Sequence, residues 1–195
     1  DNINKAYNLI STSKVRNEMI IDDVITCVAR KQTPVILTRF KEHAKFLHDA
    51  LKEKADHVFL LYGDNSDKEN AEIRVKLKQI PENESLILVA TGQKIGEGFD
   101  FPRLDVLMLA APVSFEGRLE QYVGRLNRDY VGKEAVYVYD YIDSHVRYFD
   151  KMYAKRLRTY RKMGFSIWTQ ELQPKQIINA IFDSVNYTEK FEQDI

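Results

Sequence analysis

Residues 121–128 read QYVGRLNR. On a helix each residue advances by about 100°, so positions four and seven apart share a face. Gln121, Arg125 and Arg128 then project as one polar strip. Leu119, Tyr122, Val123 and Leu126 fall on the other side, at the spacing of a buried stripe. Gly124 has no side chain to keep a second backbone or a ligand away from Arg125. Two arginines and a glutamine on one face suit a polyphosphate, because guanidinium forks pair with anionic oxygens bidentately and stay charged. Taken alone, such a strip is more often the solvated face of an amphipathic helix. The residues upstream change that reading.

Working back from the helix, DVLMLAAP (105–112), ESLILVA (84–90), HVFLLYG (57–63) and PVILTRF (34–40) are short apolar runs, and EAVYVYDYI (134–142) follows it. Between them lie helical patterns, KEHAKFLHDALKEK (41–54), with Ala44, Phe46, Leu47 and Leu51 inward, and DKENAEIRVKLKQI (67–80). Unbroken Val/Ile/Leu runs alternating with helices predict an α/β fold, a parallel sheet covered on both faces. In such sheets ligands collect at the C-terminal ends of the strands. The unusual residues are there: Thr38 and Arg39, then Gly63-Asp64-Asn65, then TGQKIGEGFDFP (91–102) with Gly92, Gly96 and Gly98. Such a loop can offer backbone N–H groups to phosphate. Neither G-x-x-x-x-G-K-[ST] nor G-x-G-x-x-G occurs, so both common nucleotide cradles are absent.

Composition sets outer limits. The chain has 195 residues, 44% hydrophobic and 30% charged, which fits one globular domain with appendages. Its formal net charge is +0, so any nucleic-acid binding must come from local patches. The single cysteine, Cys27, excludes an internal disulfide or a cysteine zinc cluster and reads as a small buried hydrophobe. His43 and His48 are five apart, on different helix faces, and no metal site is expected. No apolar run approaches the length of a membrane span and no signal-peptide pattern opens the chain, so a cytoplasmic protein without a membrane partner is expected. The first residue is Asp1 and not Met, which suggests a fragment of a longer protein.

Residues 1–33 read as a helical lead-in and 34–162 as the main domain. Residues 163–195 read as an appendage of unassigned role, with an apolar run at 165–168 and a helix from about Pro174 to Val185. Residues 144–162 form a long predicted helix with Val146, Phe149, Tyr153, Leu157 and Tyr160 at helical spacing. Its other faces carry Arg147, Lys151, Lys155, Arg156, Arg158, Arg161 and Lys162, and read as solvated or as a contact surface for nucleic acid or another domain.

Together these stretches resemble the second RecA-like domain of superfamily 2 helicases. VILTRF is similar to helicase motif IV, ILVATGQKIGEGFDFP to motif V, and QYVGRLNR to the Q-x-x-G-R-x-x-R of motif VI. The resemblance covers about residues 34–142. It implies a RecA-like domain of the P-loop NTPase superfamily that lacks its own P-loop. LTRFKEH, GEGFD and DYID look closest to bacterial DNA helicases of the restriction and repair type. Motif V departs from the DEAD-box pattern: Gly98 lies seven residues after Thr91 instead of six, and Glu97 stands where an arginine is usual.

The resemblance implies roles. Arg125 and Arg128 would face the phosphates of ATP, with Arg128 the arginine finger, and Gln121 would orient the γ-phosphate or the attacking water. Gly98 and Asp100 would lie on the nucleotide side of the same cleft, although Asp100 also suits a turn before Pro102. Thr38, Arg39, Thr91 and Gly92 would touch the backbone of one nucleic-acid strand, DNA in preference although RNA is not excluded. The Mg²⁺ ligands and the phosphate-binding lysine would belong to a first RecA-like domain of the same protein. Two other classes compete: a non-catalytic binding module that kept the fold, and a Rossmann-type enzyme, which the missing dinucleotide fingerprint disfavours.

Overall fold

The computed structural model describes residues 2–96, 99–113, 116–144, 146–171 and 187–194. Five parallel strands form its centre: β1 (Pro34–Thr38), β2 (His57–Leu61), β3 (Leu86–Thr91), β4 (Val106–Leu109) and β5 (Ala135–Ile142), in the order β2-β3-β1-β4-β5. Val35 lies opposite Leu88 and Leu107, and Leu107 opposite Val138, so the register places all five C-terminal ends on one side.

Side chains alternate faces along a strand, and here both faces are buried. Val35 and Leu37 pack with Leu88, Ala90, Leu107 and Leu109 on one face, under α4 (Asp67–Gln79), the short α5 (Gly92–Gly96), α6 (Glu116–Leu126) and α7 (Arg147–Lys162). Ile36 packs with Ile87, Val89 and Met108 on the other, under α2 (Lys14–Ala29) and α3 (Lys41–Leu51). Two-sided burial is why the strands read as unbroken apolar runs. The expected α/β sandwich is present. In α3, Ala44, Leu47 and Leu51 are buried, but Phe46 is 51% exposed. It lies two residues from Ala44 and so about 200° around the helix, on the outer side.

The N-terminal residues are built into this core. Ile20, Val24 and Cys27 of α2 are fully buried against the sheet. Ser13 caps α2, its hydroxyl accepting from the Arg16 N–H at 3.2 Å. The preceding α1 (Asn2–Ser11) sets Tyr7 and Ile10 against Phe149 and Met152 of α7. What is described of the tail is strand: β6 (Ser166–Glu171) and β7 (Tyr187–Asp194) form an antiparallel pair that joins the sheet through β7 against β5. The helix expected near 174–185 lies outside the described residues.

Arg156 departs from expectation. It is buried, not on an outer face of α7, and its guanidinium forks onto Asp140 of β5 at 2.6 and 2.9 Å. A second buried fork joins Arg16 of α2 to Asp143 at 3.0 and 3.1 Å. Both arginines also hold the segment after β4: Arg16 donates to Ala110 O, and Arg156 to Val113 O at 3.0 Å. Tyr7 adds a bond from its hydroxyl to Pro112 O at 3.1 Å. These three donors fix the chain as it leaves the sheet toward α6.

Candidate functional site

The buried stripe of α6 is as the spacing predicts: Leu119, Tyr122, Val123 and Leu126 are each 5% exposed or less. Gln121 is exposed and Arg125 half-buried on the other side. Arg128 needs a correction, because α6 ends at Leu126 and helical projection does not place it. One further helical bond, Asn127 N–H to Val123 O at 3.2 Å, closes the last turn. Beyond it Arg128 is placed by a contact, its Nε 3.2 Å from Asp100 Oδ1. Asp100 and Arg128, assigned to one cleft from the resemblance, are thus neighbours. Both are about half exposed, at 48% and 52%, so the pair is worth less than about 1 kcal/mol and is readily exchanged for a bound anion. The Arg125 Nε is buried and has no hydrogen-bond partner among the described residues. An unsatisfied buried donor costs about 1–3 kcal/mol, which an anionic oxygen would recover. Arg125 and Arg128 therefore fit a polyphosphate. Gly98 lies outside the described residues.

The other four expected contacts come together elsewhere. Thr38 and Arg39 at the end of β1 and Thr91 and Gly92 at the end of β3 line one cleft of about 540 Å³, at the C-terminal side of the sheet. Lys41 and Arg118 line it too and were missed from sequence. For Arg118 the signal was present, since it stands three residues before Gln121 and seven before Arg125, on the same helical strip. Arg39 and Arg118, with Lys41 held by Asp64 at 2.7 Å in a half-exposed pair, make a local basic lining in a chain of zero net charge. Gly92 is there because of crowding: a Cβ would stand 2.6 Å from the Tyr122 hydroxyl. Arg39 is pre-oriented, its guanidinium 4.3 Å from the centre of the Tyr7 ring. Gly124, by contrast, has open space around it. Among the described residues, no group of three or more His, Cys, Asp or Glu is arranged to hold a metal ion, and no helix is long and apolar enough to cross a membrane.

Thr38 carries a second constraint. Asn17 donates its amide to Ser11 O at 2.9 Å and so turns its oxygen toward His43 Nε2 at 2.8 Å. That oxygen only accepts, so Nε2 carries the proton and Nδ1 is the acceptor. The Thr38 hydroxyl then donates to Nδ1 at 2.5 Å. Its proton is spent on His43, which leaves the oxygen lone pairs and the backbone toward the cleft.

Burial, with a smaller contribution from Arg16, pushes His43 down to about 3. A histidine depressed on folding stabilises the protein above its unfolded value of about 6.5 and loses that stability as pH falls toward 3. The loss between pH 7 and pH 4 comes to about 3 kcal/mol. Asp105, raised to about 6 by burial, works in the opposite sense over the same window. Between pH 7 and pH 4 the stability of His43→Gln relative to wild type is therefore expected to shift by about 3 kcal/mol in the variant's favour, whatever the other carboxylates contribute to both proteins alike. Urea unfolding at pH 7 and pH 4 checks this, and parallel pH profiles for the two proteins would refute it.

Comparison with known proteins agrees with this geometry. A profile of the helicase conserved C-terminal domain matches residues 16–129. A transcript termination protein of Yaba-like disease virus is 32% identical over 120 residues, covering 60% of this chain and 24% of that protein. A transcript termination protein of vaccinia virus (strain Copenhagen) is 24% identical over 198 residues, covering 91% of this chain and 40% of that one. The chain thus spans less than half the length of either relative. Among solved structures, T4 UvsW superposes with a TM-score of 0.53 at 23% identity, over 63% of this chain and 24% of that one, a likeness of fold.

Proposed function

The chain belongs to the helicase conserved C-terminal domain family, and on that premise we propose that it is the second RecA-like domain of an ATP-dependent superfamily 2 DNA helicase or translocase. Its part is to supply the arginine finger and half of the nucleic-acid track. The observation that carries this reading is the division of labour around α6. Arg125 offers an unpartnered buried Nε and Arg128 an exchangeable guanidinium beside Asp100, while Thr38, Arg39, Thr91 and Gly92 line a separate basic cleft.

ATP with Mg²⁺ brings the phosphoryl group that is transferred to water, and the Mg²⁺ ligands and phosphate-binding lysine are assigned to a first RecA-like domain of the same protein. In this chain Arg125 and Arg128 bind phosphate oxygens, and Gln121, exposed on the same helix, orients the attacking water. Charge set where it develops on the transferring group is the main protein contribution to such reactions. The cleft cations hold strand phosphates, which gives grip without sequence reading. The names of the poxvirus relatives favour a second reading, in which the motor works in transcript termination. Stimulation by DNA against RNA identifies the nucleic acid that drives the motor in either reading.

The chain alone is expected to show no ATP turnover, since it holds no Walker A lysine. It should bind single-stranded nucleic acid weakly and without sequence preference. With Arg39, Lys41 and Arg118 as the contacting cations, log Kd should change with log salt by a slope of about 2 to 3. Turnover by the pure chain, or tight sequence-selective binding at physiological salt, would refute the half-motor reading. Joined to a nucleotide-binding first domain, the chain should give nucleic-acid-stimulated hydrolysis. A joined protein that binds strands but never hydrolyses ATP would instead mark a non-catalytic module.

A further inference from the structure

Lys133 lies beyond the residues matched by the family profile, on the turn between α6 and β5. Its ammonium donates to Pro102 O at 3.0 Å, to Arg128 O at 2.9 Å and to Leu126 O. An ammonium has three protons, and all three are taken by backbone carbonyls. No donor remains for a phosphate, so this lysine acts on the chain around it and not on a ligand.

The three acceptors belong to three parts of the proposed nucleotide side. Leu126 O is at the C-terminal end of α6, where the helix dipole is negative and a cation is favoured. Pro102 O is on the turn that follows Asp100. Arg128 O is on the arginine itself. Arg128 lies past the helical hydrogen bonds, and its side chain meets Asp100 through a weak, half-exposed pair. Those contacts alone would leave its position loose. Burial pulls the Lys133 ammonium below its ordinary range, and Asp105 and Asp129 pull the other way.

We propose that Lys133 is a positioning residue for the hydrolytic reaction, its ammonium tying the backbone of Arg128 to the end of α6 and to the Pro102 turn so that the guanidinium stands beside Asp100. This rests on the reading of Arg128 as the finger, and the test keeps the two apart. In a protein joining this chain to a nucleotide-binding first domain, Lys133→Met should lower kcat by about 10²-fold, the usual cost of a displacement of about 1 Å. KM for ATP should stay within about twofold, because the loss falls on the transition state. Lys133→Gln, which keeps two of the donors, should lose less and serves as the reporter if the methionine variant melts below the assay temperature.

The decisive measurement repeats each Lys133 variant in an Arg128→Ala background. There it should change kcat by less than about twofold, since residues acting as one unit are not additive. A loss of equal size in both backgrounds, or a rise in KM without a fall in kcat, would mark Lys133 as a general structural contact and overturn the inference. If Arg128→Ala loses its rate while both Lys133 variants keep theirs, the inference fails and the finger reading stands. If Arg128→Ala keeps its rate, both fall.

Discussion

Arg128→Ala, in a protein joining this chain to a nucleotide-binding first domain, is expected to lower kcat for nucleic-acid-stimulated ATP hydrolysis by about 10³-fold or more, the scale of a lost arginine finger. The fold should hardly notice. Arg128 lies outside α6 and 52% exposed, with one weak partner in Asp100. Truncation leaves Leu119, Tyr122, Val123 and Leu126 in their packing, so stability should move by no more than about 0.5 kcal/mol. The guanidinium matters most when charge builds on the transferring phosphoryl, so the loss belongs in kcat and not mainly in KM. Arg128→Lys should recover little, because an ammonium cannot present two donors as a planar fork. A folded alanine variant keeping more than about a tenth of wild-type kcat, against the loss typical of a finger, would make Arg128 an ordinary surface arginine.

The contrast between Leu126 and Arg128, two residues apart, shows how far such a site can be read from sequence. Leu126 was legible because a buried stripe repeats with the helix, and periodicity is local. Arg128 was read onto the helix but lies past its end, because α6 stops where the Lys133 ammonium takes its last carbonyl, seven residues further on. No local pattern carries that contact. The strands were legible for a similar reason: Val35 and Leu37 face one way and Ile36 the other, and both sides are buried, so composition alone marks them.

Contacts across the fold were not legible. YTEKFEQD (187–194) has two aromatics and four charged residues, and becomes a strand by pairing with the edge of β5. Thr38 was placed correctly at the end of β1, but the engagement of its hydroxyl depends on His43 and, through it, on Asn17 of α2. Lys41 and Arg118 join the cleft only because α3 and α6 begin at the same side of the sheet. The chemistry was readable wherever residue type and spacing sufficed, and hidden wherever two distant segments had to meet.

Arg156 is the sharpest such case, and replacing it by methionine is expected to cost about 3–5 kcal/mol, the range for removing one partner of a buried ion pair. Asp140 is 1% exposed and accepts from both arms of the Arg156 fork and from the Tyr160 hydroxyl at 2.8 Å. Without the arginine one neutral donor remains for a carboxylate shut away from water. Met has a helix propensity close to that of Arg and fills most of the same volume, so neither helix loss nor a large cavity should dominate. The sign of the cause is testable. If the penalty is the orphaned charge, adding Asp140→Leu to Arg156→Met should restore much of the stability, because replacing both members of a buried pair by apolar residues is often neutral. Urea unfolding of the three variants measures this directly. A double variant at least as unstable as Arg156→Met alone would shift the weight to the bond from Arg156 to Val113 O at 3.0 Å, and to the grip on the segment leading into α6. In that case the same double variant, joined to a first domain, should also lose nucleic-acid-stimulated hydrolysis, because α6 carries Gln121 and Arg125.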